Sequence, residues 1–184
     1  IADKKVHDAL AAVDLSEWFT NRHSGDHFLS LAREIIYQQL AGRAADAIFA
    51  RFTQLVGDQV KPEDILKVED QALRNVGLSW AKARYVKDLA AKVVSHEVVL
   101  TNLDSLDDES VISVLTKVKG IGRWTAEIFL MFRLGRPDIL PADDLGLMNA
   151  VHRAYGLRTR PDPNKLRKMG EAWSPYRSVA SWYL

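Results

Sequence analysis

Two adjacent carboxylates, Asp143 and Asp144, stand in the segment LPADDLGL that begins at Leu140, where a loop gives way to an apolar helical run. An aspartate there is either an ordinary helix N-cap, which its short side chain suits, or a fixed negative charge for a reaction that builds positive charge. Upstream lies VKGIGRWTAEIFLMF, Val118 to Phe132, in which Gly120 and Gly122 give backbone freedom and no side-chain bulk just before a helix. The first amides of such a helix have no internal acceptor, and its dipole attracts anions, so a phosphate fits there. Lys117, Lys119 and Arg123 would add charge around it. For a bare Gly-x-Gly, a tight turn between packed helices is the simpler reading. Trp124 follows directly, a large flat ring that either packs in a core or stacks on a planar ligand.

The elements that must position these residues read as helix after helix. Phe28, Leu31, Ile35 and Ile36, then Ala44, Ala45, Ile48 and Phe52, recur at helical spacing on either side of a break near Gln38–Gly42. Pro62 starts another helix, and Gly77 with Ser79 separates the next. SLDDESVISVLTKV opens on caps at Ser105 and Asp107 and runs to about Lys117; the helix after the glycines starts near Arg123 or Trp124. RLGRPDILPADD is a loop marked by Gly135, Pro137 and Pro141, and LGLMNAVHRAYG, PNKLRKMGEAW and PYRSVASWYL are further helices. EVVLTNL is the single strand candidate. The expected class is all-α, with many short helices.

The chain of 184 residues is 47% hydrophobic, enough for one cored domain or two small lobes. Its net charge of +1 hides an asymmetry: residues 111–184 carry +6 and residues 1–110 carry −5. A basic second part could meet an anion, although ordinary surface charge is the slightly favoured reading of the asymmetry alone. No cysteine is present, which excludes disulfides, thiolate zinc sites and a cysteine-ligated iron–sulfur cluster within these residues. His7, His23, His27, His96 and His152 show no ligand spacing with carboxylates; Gly25 interrupts the i, i+4 pair His23 and His27. No apolar run reaches the roughly 20 residues of a membrane helix. IADKKVHDAL has neither a signal-peptide core nor an initiator Met, and an intracellular monomer is expected. The glycine turn fits neither common nucleotide loop: a helix precedes it, and the lysine spacing is not Gly-x-x-x-x-Gly-Lys-Ser/Thr.

In combination, VKGIGRWTAEIFLMF and LPADDLGL resemble the signature of helix-hairpin-helix DNA glycosylases. IIYQQLAGRAA at Ile35–Ala45, VGLSWAKARYVKDLA at Val76–Ala90 and SPYRSVASWYL at Ser174–Leu184 resemble the 3-methyladenine DNA glycosylase II branch, so that the likeness spans about residues 28–184. The resemblance implies two helical lobes flanking a groove, approximately 33–135, and 1–32 with 136–184. It implies a partner, duplex DNA carrying alkylated bases, and base excision that leaves an abasic site. Asp144, with Asp143 as runner-up, would serve the glycosidic bond. Bifunctional members carry a lysine immediately after Gly-x-Gly-Arg; Trp124 stands there, which implies no strand-cleaving lyase step. Trp124 would stack on the extruded base, with Tyr37, Tyr176 and Trp182 as weaker candidates for pocket walls. Gln39, or Leu40, would fill the gap in the duplex. Amides near Gly120, Gly122, Thr125 and Ala126 would hold the strand, and carbonyls of Thr116, Val118 and Ile121 would bind Na⁺ or K⁺. No cofactor is expected for the chemistry. The chain ends at Leu184, where relatives often continue with another aromatic. A non-catalytic DNA-binding module and a helical protein-interaction domain are the competing readings; the first needs neither Asp144 nor Trp124.

Overall fold

The computed structural model describes residues 3–11, 26–57 and 59–184. All regular structure in them is helical, as expected: α1 Lys4–Leu10, α2 His27–Tyr37, α3 Gly42–Val56, α4 Pro62–Lys67, α5 Asp70–Asn75, α6 Trp80–Val94, α7 Asp108–Leu115, α8 Arg123–Phe132, α9 Leu145–Ala154, α10 Pro163–Gly170 and α11 Arg177–Tyr183, with 3₁₀ turns at Leu103–Ser105 and Glu171–Trp173. The chain divides into two compact units, Gly25–Ala126 and Ile1–Ser24 with Glu127–Leu184, and the boundary falls within α8.

The helix starts follow capping chemistry. Asp26, Ser79, Asp107, Asp144 and Asp162 each accept a backbone amide in the first turn. Asp107 caps α7, whereas Ser105 belongs to the preceding 3₁₀ turn, and α7 ends at Leu115, two residues short of Lys117. The strand expected at EVVLTNL does not form. Its alternation is real, with Val98 and Leu100 buried and Val99 exposed, but among the described residues there is no strand for it to pair with.

In the Gly25–Ala126 unit, α6 is the central element and packs against α2, α4 and α5. Leu31, Ile35, Ile36, Phe52, Leu73 and Leu89 are fully buried around it. Each buried side chain of this size stabilises by about 1.5–3 kcal/mol. In the other unit Trp173 is fully buried. Its indole N–H donates to the Tyr155 hydroxyl (3.1 Å), which donates to Asp3 (2.7 Å), tying α1 to the C-terminal helices. Burial and the Asp3 carboxylate push the Tyr155 phenol far up. Ser178 accepts the Ile139 amide (2.9 Å) and donates to the Arg136 carbonyl (2.6 Å), so the loop after α8 is pinned to α11 from within.

Candidate active site

The Gln38–Gly42 break is held by side chains from elsewhere in its unit. α2 ends at Tyr37, and the last carbonyls of a helix need donors from outside it. Lys82 of α6 supplies them: its ammonium donates to Ile36 O and to Gln38 O, both at 2.7 Å. Burial lowers the Lys82 pKa. The Gln38 side chain reaches the hairpin, residues 116–122 between α7 and α8, and donates to Gly120 O at 2.9 Å. Between these ties Gln39 is exposed and holds φ 57°, a left-handed conformation that costs a non-glycine residue free energy. Leu40 beside it is 38% exposed. Neither Lys82 nor the Gln38–Gly120 bond was visible in the sequence, where Lys82 is simply a polar position on a helix.

The hairpin is fixed in the same manner. Gly120 has φ +86°, and a Cβ there would run into the Tyr85 ring, so glycine is required on both counts. The Lys119 amide donates to Asp88 at 2.8 Å, and Lys92 bridges to the Lys117 carbonyl. The Lys117 ammonium lies 3.4 Å from Glu97 O. Arg123 forms a two-point ion pair with Glu109, which holds the Glu109 carboxyl below its ordinary value. The Ala126 amide makes a helical bond to Gly122 O at 3.1 Å, so among the expected phosphate donors it is already committed. Val118 O accepts from Ile121 N at 3.1 Å, leaving one lone pair. Neutral carbonyl oxygens such as those of Thr116, Val118 and Ile121 are a donor set suited to a hard cation.

A recess of about 440 Å³ opens beside the break, lined by Glu34, Tyr37, Gln38, Gln39, Trp124 and Thr125. Trp124 is 40% exposed, so it is a wall rather than core packing. The Tyr37 hydroxyl donates to Asp46, its ring meets Phe49 edge-on at 6.1 Å, and the Arg33 guanidinium sits 4.1 Å from its centroid. Burial, followed by the Asp46 hydrogen bond, raises the Tyr37 pKa despite Arg33.

In the other unit a recess of about 240 Å³ is lined by Ile128, Met131, Phe132, Asp144, Arg153 and Trp182, among others. Asp144 is half-buried at the start of α9, with Oδ1 accepting the Leu147 amide at 2.7 Å. A Cβ on Gly146 would come within 3.0 Å of the same oxygen, so that glycine leaves room for the carboxylate. The loop that delivers Asp144 is anchored by buried Ile139, Pro141 and Ala142. It is anchored also by Asp138, which accepts from the Arg177 amide (3.1 Å), Arg177 Nε (2.8 Å) and Nη2 (2.9 Å), and Ser174 (3.0 Å). Burial opposes ionisation of Asp138, but these donors prevail and lower its pKa. Asp143 is exposed and paired with Arg167 at 3.1 Å. Trp182 is 51% exposed on its recess, whereas Tyr176, 43% exposed before α11, is not among the residues lining either recess. Of the histidines, His23 lies outside the described residues. His27 meets Asp104 at 3.3 Å, and among the described residues no cluster of three His, Asp or Glu offers a metal site. Among the described residues no helix is long and apolar enough to cross a membrane.

Comparison with known proteins bears on these features together. YfjP of Bacillus subtilis, a candidate DNA-3-methyladenine glycosylase, is 37% identical over 157 residues, 82% of this chain and 55% of that protein. The chain thus spans little more than half the length of that relative. The crystal structure of DNA-3-methyladenine glycosidase from Bacillus halodurans superposes with a TM-score of 0.83 at 38% identity, over 98% of this chain and 82% of the other. The Schizosaccharomyces pombe 3-methyladenine DNA glycosylase, solved in complex with abasic DNA, gives 0.75 at 31% identity, over 97% and 94%. The family model of the HhH-GPD superfamily base excision DNA repair proteins matches residues 32–175, and the chain belongs to that family.

Proposed function

We propose that the protein is a monofunctional DNA glycosylase that extrudes alkylated purines from duplex DNA and hydrolyses their N-glycosidic bond. The observation that carries this reading is Asp144, presented by the first turn of α9 at the rim of a recess in a chain of the base excision repair family. Breaking the C1′–N bond sends the bonding pair to the base and leaves positive charge on the deoxyribose. A carboxylate fixed by a backbone amide stabilises that charge without having to reorganise. The same carboxylate orients the water that adds to C1′ and receives its proton on the way to solvent. A purine alkylated at N3 or N7 is already cationic and departs neutral, so one carboxylate suffices where sugar hydrolases use two.

The remaining assignments follow from chemistry. Trp124 stacks on the extruded base, and its π face favours a positively charged ring; Tyr37 borders the same recess. Trp124 carries no amine, so it cannot form the Schiff base a lyase step needs, and the product is an abasic site. Gln39, exposed and already held in a left-handed conformation, is the wedge, with Leu40 beside it. Backbone amides around Gly120, Gly122 and Thr125, with Lys117, Lys119 and Arg123, hold the phosphates and so position the duplex without reading sequence. A monovalent cation would be held by the carbonyls of Thr116, Val118 and Ile121. The protein acts as a monomer inside the cell, and no cofactor enters the chemistry.

The test is incubation with methylated duplex DNA and identification of the bases released, with the strands examined before and after heating in alkali. The expected result is free alkylpurine and strand breaks only after alkaline heating. Breaks without that treatment would contradict the monofunctional reading. DNA binding without base release would leave a non-catalytic binding module.

A further inference from the structure

Glu34 has no part in the chemistry described above, yet it lines the 440 Å³ recess with Trp124. Glu34 and Tyr37 stand i, i+3 on one face of α2, and Gln38 follows at its C-cap; all three line the recess. A carboxyl group is an unexpected wall for a purine site. Desolvation raises its pKa against the opposing pull of Arg33, so its charge is held at a cost and a cation in the recess would offset that cost. Of the neighbouring groups, Asp46 takes the Tyr37 hydroxyl and Lys82 the carbonyls of Ile36 and Gln38, while Arg33 sits over the Tyr37 ring and offsets only part of the desolvation of Glu34.

We propose that Glu34 is a specificity-determining residue that selects positively charged purines, the N3- and N7-alkylated class, over neutral ones by placing a carboxylate on the wall of the Trp124 recess. The inference rests on the glycosylase reading. Trp124 accepts any flat ring, while the Glu34 charge rewards only a cationic one. As the C1′–N bond breaks, the positive charge leaves the base for the sugar. Glu34 therefore stabilises the captured base more than the departing one, and its effect lies in capture rather than in bond cleavage.

The probes are 7,9-dimethyladeninium, which has no acidic ring N–H and stays cationic at neutral pH, and neutral 9-methyladenine, with binding followed by ligand-observed NMR on the wild type, Glu34→Gln and Glu34→Asp. The wild type is expected to prefer the cation by about tenfold or more, as one neighbouring charge at a partly hydrated site supplies. Glu34→Gln loses that preference while still binding the neutral ring, and Glu34→Asp keeps part of it. Retention of the full preference by Glu34→Gln, equal weakening of both ligands, or no preference in the wild type would each overturn the proposal. The readout needs no catalysis, so failure to release bases from methylated DNA would count against the glycosylase reading alone.

Discussion

The hairpin region and the Asp144 region solve opposite problems. Around Gln38–Gly42 and Lys117–Gly122, side chains are spent on fixing backbone: Lys82 on two carbonyls, Gln38 on Gly120 O, Asp88 on the Lys119 amide. The groups left to act there are largely main-chain ones. At Asp144 the backbone fixes a side chain, through the Leu147 amide and the space left by Gly146. The contrast teaches where substitutions should separate binding from chemistry. Changes near the hairpin should disturb geometry and DNA affinity together, while a change at Asp144 can remove chemistry and spare the fold.

The largest expected effect is at Asp144. Asn caps a helix as well as Asp does, so Asp144→Asn should leave the unfolding midpoint nearly unchanged. Its excision rate should fall by about 10²–10³-fold, the usual scale for removing one fixed electrostatic group. Asp143→Asn, whose partner is exposed Arg167, should change the rate little, and equal losses at the two positions would dissolve the assignment. Next comes Trp124→Ala. Stacking is worth about 1–3 kcal/mol per base, so a loss of roughly 10- to 100-fold is expected in excision at limiting protein. Lys82→Met tests the other side of the comparison. It leaves the Ile36 and Gln38 carbonyls without their donor and should cost about 1–3 kcal/mol in denaturant unfolding, with DNA affinity falling in parallel. Intact affinity in that variant would show that the break does not depend on Lys82.

The smallest effect concerns stability alone, and its sign is informative. The folded pKa of Glu34 is raised, so between its unfolded and folded values the native state binds more protons than the unfolded chain. Stability is fully present below the unfolded pKa and is lost as pH rises through the folded one. Glu34→Gln should therefore melt at or above the wild-type temperature at neutral pH, with the advantage vanishing in acid. A residue conserving only packing would show a loss at both pH values.

What the sequence displayed was periodic or local. The helices on either side of Gln38–Gly42 follow from apolar spacing, and Asp107 and Asp144 are caps three residues before the amides they accept. What it hid was tertiary. Lys82 serves carbonyls more than 40 positions away, and Tyr85 makes Gly120 obligatory across a similar distance; neither pairing leaves a local pattern. EVVLTNL misled because alternation records which side chains are buried, not whether a neighbouring strand is there to pair. Glu34 escaped notice for the same reason as Lys82. On a helix that buries Ile35 and Ile36, a glutamate reads as solvated surface until Trp124 is placed beside it.

The most direct measurement of the central claim sets DNA affinity beside single-turnover base release for the wild type and Asp144→Asn on the same methylated duplex. The account predicts that the variant binds as tightly as the wild type while its release rate falls by about two orders of magnitude or more. Release by Asp144→Asn at the wild-type rate would contradict it.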